Sequence, residues 1–177
     1  YRQAHQFGVE CTGFAGPEAD FEVISLAWYL VRSYELSDAT LRLNTIGDDV
    51  CRPRYREALL AHFRPHVEEL SADSQRRLER NPLRILDSKD SADKPFIATA
   101  PTIFAHLTDS ARAFYEKLKD HLAKFGVPFI ENARIVRGLD YYNHTAFEFV
   151  TTALGAQGTV MAGGRYDGLV EEMGGPP

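Results

Sequence analysis

The last third of the chain does most to limit its fold. Thr108 or Asp109 can cap a helix running to about Phe125, and Gly126 can stop it. Phe114, Leu118, Leu122 and Phe125 give that helix an apolar face. Beyond the glycine the chain reads as strands with little between them: Val127 to Glu131, Ala133 to Val136, Ala146 to Thr151 and Thr159 to Met161. Short strands joined by close turns are expected to pair antiparallel, because parallel neighbours need a crossover of about a dozen residues. A glycine-rich end follows, with Gly163, Gly164, Gly168, Gly174 and Gly175.

The first third has a different pattern. Tyr1 to Glu10 reads as strand material with no leading methionine, so an internal piece of a longer protein is expected. A helix should run from about Pro17 to Tyr34. Pro17 suits its first turn, Glu18, Asp20 and Glu22 suit its positive end, and Phe21, Ile24, Trp28 and Val31 form a core-facing stripe. Leu41 to Thr45 alternates as a strand with one buried face. From residue 49 to 108 only helical spacing is clear. Arg54 to Leu70 looks helical, with Leu59, Leu60, Phe63 and Val67 on one side; Ala72 to Arg80 follows and Asn81-Pro82 ends it. Asp87 to Lys94 is turn-like, and Pro101 to Leu107 suits a short helix. The stretch reads as a helical insertion.

Composition removes some classes. The chain is 44% hydrophobic and 25% charged, ordinary for a globular protein. No apolar run approaches the roughly 18 residues of a membrane span, and no secretory signal is visible. A net charge of −5 argues against nucleic-acid binding by bulk attraction. Residues 49–108 are nearly neutral, however, with ten Lys/Arg and nine Asp/Glu. There Arg52, Arg54 and Arg56, then Arg76, Arg77, Arg80 and Arg84, form either a solvated helix face or a phosphate-contacting patch. Cys11 and Cys51 have no metal-ligand spacing and are expected to be reduced thiols. His62 and His66, four apart on a helix, lack a matching carboxylate or cysteine, so no metal site is expected.

Three constellations can carry chemistry. In a strand, Gln6, Gly8 and Glu10 would share one face, as a polar notch for an ammonium or an imidazole N–H or as ordinary solvent-facing residues. In Arg137-Gly138-Leu139-Asp140-Tyr141-Tyr142, the guanidinium matches a carboxylate or phosphate and the tyrosines offer walls with hydroxyls. The run also reads as a turn with a surface arginine and two half-buried tyrosines. Regular alternation would set Tyr142 opposite Arg137, so a kink or strand end near Asp140 is expected. In Ala162-Gly163-Gly164-Arg165-Tyr166-Asp167-Gly168, paired glycines after a strand let backbone approach a ligand.

In this order, these motifs resemble the histidyl-tRNA synthetase family. Arg2 to Glu10 is similar to the second half of the class II motif 2. Arg137 to Tyr142 and Ala162 to Gly168 are similar to the two histidine-specific signatures, and Asn81-Pro82-Leu83-Arg84-Ile85-Leu86-Asp87-Ser88-Lys89 to the family's helical insertion. Ala4 departs from the pattern, standing where an aromatic residue is usual, and changed packing is expected there.

The resemblance implies an α+β fold: part of the class II core, an antiparallel sheet flanked by helices, with a helical insertion. Its parts would be 1–48 (core), 49–108 (insertion) and 109–177 (core). It implies a cytoplasmic, homodimeric aminoacyl-tRNA ligase. Such an enzyme activates histidine with ATP and Mg2+ to histidyl-adenylate, then transfers the histidyl group to the 3′ end of its tRNA. Carried over, Gln6 would hold the α-amino group, Glu10 and Tyr142 the imidazole, and Tyr141 would line the pocket. Arg137 would bridge the histidine carboxylate and the α-phosphate, and Gly163 and Gly164 would supply adenylate-pocket backbone. Arg52, Arg54, Arg56, Arg76, Arg77 and Arg80 become candidate tRNA contacts. Motif 1, the first half of motif 2, motif 3 and the anticodon-binding domain have no counterpart here, so these 177 residues alone are expected not to complete aminoacylation. The alternative is a non-catalytic paralogue such as the regulatory subunit of ATP phosphoribosyltransferase.

Overall fold

The computed structural model describes residues 3, 5–137, 141–154 and 158–176. It is an α+β protein. Helix α1 (Pro17–Ser33) begins on Pro17 with Glu18 and Asp20 in its first turn, as the helix dipole favours. Ile24 and Val31 on its stripe are fully buried. Strand β1 (Thr40–Gly47) follows, then α2 (Cys51–Phe63), α3 (Ala72–Arg80), α4 (Lys94–Thr99) and α5 (Asp109–Phe125). The remaining strands are β2 (Phe129–Glu131), β3 (Asn143–Val150) and β4 (Thr159–Arg165), before a single turn, α6 (Leu169–Glu172).

The sheet order is β2-β1-β3-β4. β3 runs antiparallel to both β1 and β4, but β2 lies parallel to β1. The expectation of wholly antiparallel pairing therefore fails at this edge. The long helical connection through α2 to α5 supplies the crossover that a parallel neighbour needs.

Two further strand expectations fail. Residues 132 to 137 form a turn and irregular chain, where Asn44 Nδ2 donates to the Ile135 carbonyl at 2.7 Å. Gln3 and His5 to Glu10 are exposed and irregular, and among the described residues no strand pairs with them. Ala4 and the kink expected near Asp140 lie outside the described residues.

Helices α1 and α5 cover one face of the sheet, burying Leu41, Leu43, Leu118, Leu122 and Phe149. Thr108 caps α5 by accepting from Ala111 N at 3.1 Å, and Gly126 closes it at φ +76°. The buried face uses Ala111 and Tyr115 where Phe114 and Phe125 were expected. Phe114 stacks instead on His144, and Phe125 stays 66% exposed, edge-on to Phe21. β1 is not buried on one face only. Beyond Arg42 it is covered on both sides, since Ile46 packs with Ile135, Ala146 and Tyr142.

Residues 51–111 enclose a second core, with Leu59, Leu60, Phe63, Ile85 and Ile103 at its centre. The helix expected to reach Leu70 stops at Phe63. Pro65 cannot donate to the α-helical ladder, and a 3-10 turn, Arg64–Glu69, leaves Val67 exposed. α4 begins within the stretch expected to be a loop. Just before it, fully buried Asp93 accepts from Ser71 N and Oγ (both 2.8 Å), Ser74 Oγ (2.6 Å) and Ser88 Oγ (2.5 Å). Burial alone would raise this carboxyl; the four bonds outweigh it and hold the group below its ordinary value.

Asp48 joins the two ends of this helical stretch. Its Oδ1 accepts from Val50 N (3.1 Å) and Cys51 N (2.8 Å) at the start of α2, and its Oδ2 from Thr108 Oγ1 (2.5 Å) at the start of α5. Desolvation is more than offset by these bonds, which hold the carboxyl well below the usual range. Among the described residues, no helix is long and apolar enough to cross a membrane.

Candidate active site

The second face of the sheet carries the site. Strand alternation that buries Leu41 and Leu43 against the helices turns Arg42, Asn44 and Ile46 the other way. The register then aligns Arg42 with Glu148 and Ala162, and Asn44 with Ala146 and Gly164. On this surface Ala146 is fully buried under Ile46, Ile135 and Tyr142, beside the charged residues Arg42 and Glu148.

Arg137 reaches onto this surface from the irregular segment before β3. Its Nη1 lies 3.9 Å from Glu148 Oε1, and its guanidinium sits 5.2 Å from the Tyr142 ring centroid. Its Nε is buried with no protein partner among the described residues. A cation held between a carboxylate and an aromatic face, with an unused donor, is a preformed anion-binding group. Burial raises the Glu148 carboxyl above its ordinary value, and Arg137 and Arg42 pull it partly back.

Both tyrosines of the signature precede β3, so neither follows strand alternation. Their rings lie tilted with centroids 4.7 Å apart, and Tyr166 meets them edge-on at 6.0 and 6.1 Å. Desolvation, the Tyr142 hydroxyl and the Glu10 carboxylate push the Tyr141 phenol above its ordinary value. Glu10 itself is exposed. Gln6 is exposed on the same irregular segment.

The paired glycines lie inside β4, not after a strand as expected. A Cβ at Gly164 would come within 2.8 Å of the Tyr142 ring and of the Thr145 carbonyl. One at Gly163 would come within 2.6 Å of the Phe147 ring. Their bareness seats protein rings, and at Gly164 that ring belongs to the site.

The middle arginines divide. Arg52, Arg56 and Arg80 line a cavity of about 350 Å³ that Arg137 and Tyr142 also line. Arg77, Arg84 and Lys89 line another of about 380 Å³, again with Arg137. Arg54 and Arg76 stand outside both, exposed, and Arg76 pairs with Asp73 at 3.0 Å. His62 donates to the Phe96 carbonyl at 2.8 Å and His66 lies 3.1 Å from Glu69. Among the described residues, no group of three or more His, Cys, Asp or Glu is placed to hold a metal ion.

Two side chains here escape the sequence reading. Tyr166 lies inside the glycine run, where the glycines draw the attention. Glu148 is the one acid of β3 and sits between Phe147 and Phe149, a signal that alternation analysis can register.

The sequence matches the family model described as histidyl-tRNA synthetase over residues 1–176. It is 56% identical to a histidine--tRNA ligase of Gluconobacter oxydans over 177 residues, covering 99% of this chain and 43% of that protein. It is 52% identical to one of Synechococcus sp., covering 99% and 42%. The chain thus spans less than half the length of these relatives. The structure of apo S. aureus histidyl-tRNA synthetase is similar at a TM-score of 0.70 and 38% identity, over 93% of this chain and 40% of that one. A Bacillus halodurans structure titled an ATP phosphoribosyltransferase regulatory subunit/histidyl-tRNA synthetase, at TM-score 0.55 and 23% identity, shares the fold. With the family model matched from the first residue almost to the last, this chain belongs to the histidyl-tRNA synthetase family.

Proposed function

We propose that this chain forms part of a longer, cytoplasmic, homodimeric histidine--tRNA ligase and carries one wall of its adenylation site. The observation that carries the reading is Arg137, held between Glu148 and the Tyr142 ring with its Nε unpartnered among the described residues, beside the aromatic trio. In the first step an oxygen of the histidine carboxylate attacks the α-phosphorus of ATP. The bond to the bridging oxygen breaks and pyrophosphate leaves with the electron pair. Arg137 bridges the carboxylate and the α-phosphate, so its charge faces both the nucleophile and the phosphoryl oxygens. A guanidinium already fixed there stabilises the transition state without reorganisation.

Glu10 and Tyr142 read the imidazole, Gln6 holds the α-amino group, and Tyr141 with Tyr166 walls the pocket. A carboxylate facing an imidazole N–H rejects side chains lacking that donor, because an acceptor that the bound amino acid desolvates would be left unpaired. Mg2+ would enter with ATP, ligated by its phosphates. Gly163 and Gly164 supply backbone to the adenylate pocket, and Gly164 also admits the Tyr142 ring.

Residues 49–108 are read as an insertion between core parts 1–48 and 109–177. Its separate core and the bond between Asp48 and Thr108, which sets entry beside exit, support that division. Arg52, Arg56 and Arg80, on the cavity shared with Arg137, are the favoured tRNA-phosphate contacts, ahead of Arg54, Arg76 and Arg77. The non-catalytic alternative rests only on a 23% identical neighbour.

The test is Arg137→Ala in the full-length ligase. Histidine-dependent ATP–pyrophosphate exchange should fall about 100- to 1000-fold with the melting temperature retained. An unchanged exchange rate refutes the role.

A further inference from the structure

Arg165, at the end of β4, has a side chain only 7% exposed. Its Nε donates to both carboxylate oxygens of Asp167, at 2.7 and 2.8 Å. Its Nη1 donates to Asp20 Oδ1 and the Gly16 carbonyl, both at 3.1 Å, and its Nη2 to the Phe14 carbonyl at 2.5 Å. The guanidinium also lies 5.2 Å from the Phe114 ring centroid.

The two acids pass these contacts on. Asp20 Oδ2 accepts from Thr145 Oγ1 at 2.5 Å, and Asp167 Oδ2 accepts from Asn143 Nδ2 at 3.2 Å. One guanidinium therefore joins three stretches that are remote in sequence. The Phe14 and Gly16 carbonyls lie where the chain leaves Glu10. Asn143 and Thr145 open β3 directly after Tyr141 and Tyr142. Arg165 itself precedes Tyr166. The segment bearing Gln6 and Glu10 is otherwise exposed, and a Cβ at Gly8 would touch nothing within 4 Å. The bond to Phe14 is its first anchor after Glu10 among the described residues.

We propose that Arg165 is a positioning residue for amino-acid selection, setting the spacing of the Glu10 segment, the Tyr141–Tyr142 pair and Tyr166 without touching substrate. This rests on the reading of Glu10, Tyr141 and Tyr142 as the histidine pocket. A planar fork suits this role because its N–H groups point in several fixed directions, whereas a lysine ammonium keeps the charge but cannot hold the Phe14 and Gly16 carbonyls, Asp20 and Asp167 together. A displacement of about 1 Å in such a wall is enough to cost large factors in productive binding.

The experiment is steady-state ATP–pyrophosphate exchange in the full-length ligase carrying Arg165→Lys, with Glu10→Gln in parallel. Arg165→Lys should raise the histidine KM about tenfold or more, leave the ATP KM within about twofold, and keep a cooperative unfolding transition. A merely structural arginine would lower the active fraction, hence kcat, with both KM values unchanged. That result, or an equal rise in both KM values, overturns the proposal. Should Arg165→Lys not fold, Asp20→Asn removes the charge facing Nη1 yet keeps an acceptor for Thr145. Its histidine KM should rise about threefold or more, and an unchanged value overturns the proposal equally. If Glu10→Gln leaves the histidine KM unchanged, it is the pocket reading that fails. If Glu10→Gln raises it and Arg165→Lys does not, only the positioning role fails.

Discussion

Removing the Asp48 carboxylate should loosen both ends of the helical stretch at once. The group accepts from Val50 N and Cys51 N, a cap on α2, and from Thr108 Oγ1, which itself caps α5. A lost cap costs about 0.5–2 kcal/mol. A hydrogen bond to a charged group contributes about 1.5–3 kcal/mol, here reduced because Thr108 is only half-buried and regains water. Asp48→Ala should therefore destabilise the chain by about 2–4 kcal/mol. At about 2–4 °C per kcal/mol for a chain of this size, the melting temperature should fall by about 5–15 °C, measured by circular dichroism. Thr108→Val and the double variant complete a cycle, with an expected coupling of about 1–2 kcal/mol. The acid limb gives a second reading. The Asp48 carboxyl is lower in the fold than its ordinary 3.8, so the unfolded chain takes up the proton first. Its stabilisation is full above that value and lost as pH falls through the folded value. Asp48→Asn should flatten this loss. A coupling under about 0.5 kcal/mol, or an acid limb unchanged in Asp48→Asn, refutes the reasoning.

Two further outcomes follow from packing. His144 sits at φ +44° against Phe114, and burial, reinforced by Arg165, depresses its imidazole below 6.5 despite Asp167, Asp48 and Asp20. The unfolded chain then binds this proton first, so stability falls as pH drops through about 6.5. His144→Asn, which tolerates that backbone, should lessen the fall between about pH 7 and 5 in denaturant titrations; an identical pH slope sinks the assignment. Gly164→Ala should cost about 1–3 kcal/mol and raise the histidine KM by displacing Tyr142, whereas Gly163→Ala should cost stability while sparing that KM, since its clash is with core Phe147. Equal effects on KM from the two glycines would show that Gly164 has no special tie to the site.

The elements legible in the sequence are those specified by neighbours within a turn or two. Helix α1 follows from Pro17, its acidic first turn and the Ile24–Val31 stripe; α3 has the bounds that its sequence predicts; α5 follows from Thr108 and Gly126. The Pro65 break is equally local, but an apolar spacing that runs past it hides it. The motifs are legible as well, because the Arg137–Tyr142 run and the glycine run each concentrate unusual residues in a few positions. Strand material at Gln6–Glu10 and 133–136 misleads, since alternation says only that a segment suits a ladder, not that a partner stands beside it.

By itself the sequence determined helices α1, α3 and α5, the two ends of α5, the α+β class and the family to which the chain belongs. Only the tertiary structure decided that β2 lies parallel to β1, that Glu148 meets Arg137, and that Tyr166 completes an aromatic trio. It alone turned the arginine after the paired glycines into a buried fork joining Phe14, Asp20 and Asp167. The reason is range. Caps and apolar stripes act through residues three or four apart, whereas strand pairing and buried charge depend on groups that only folding brings together.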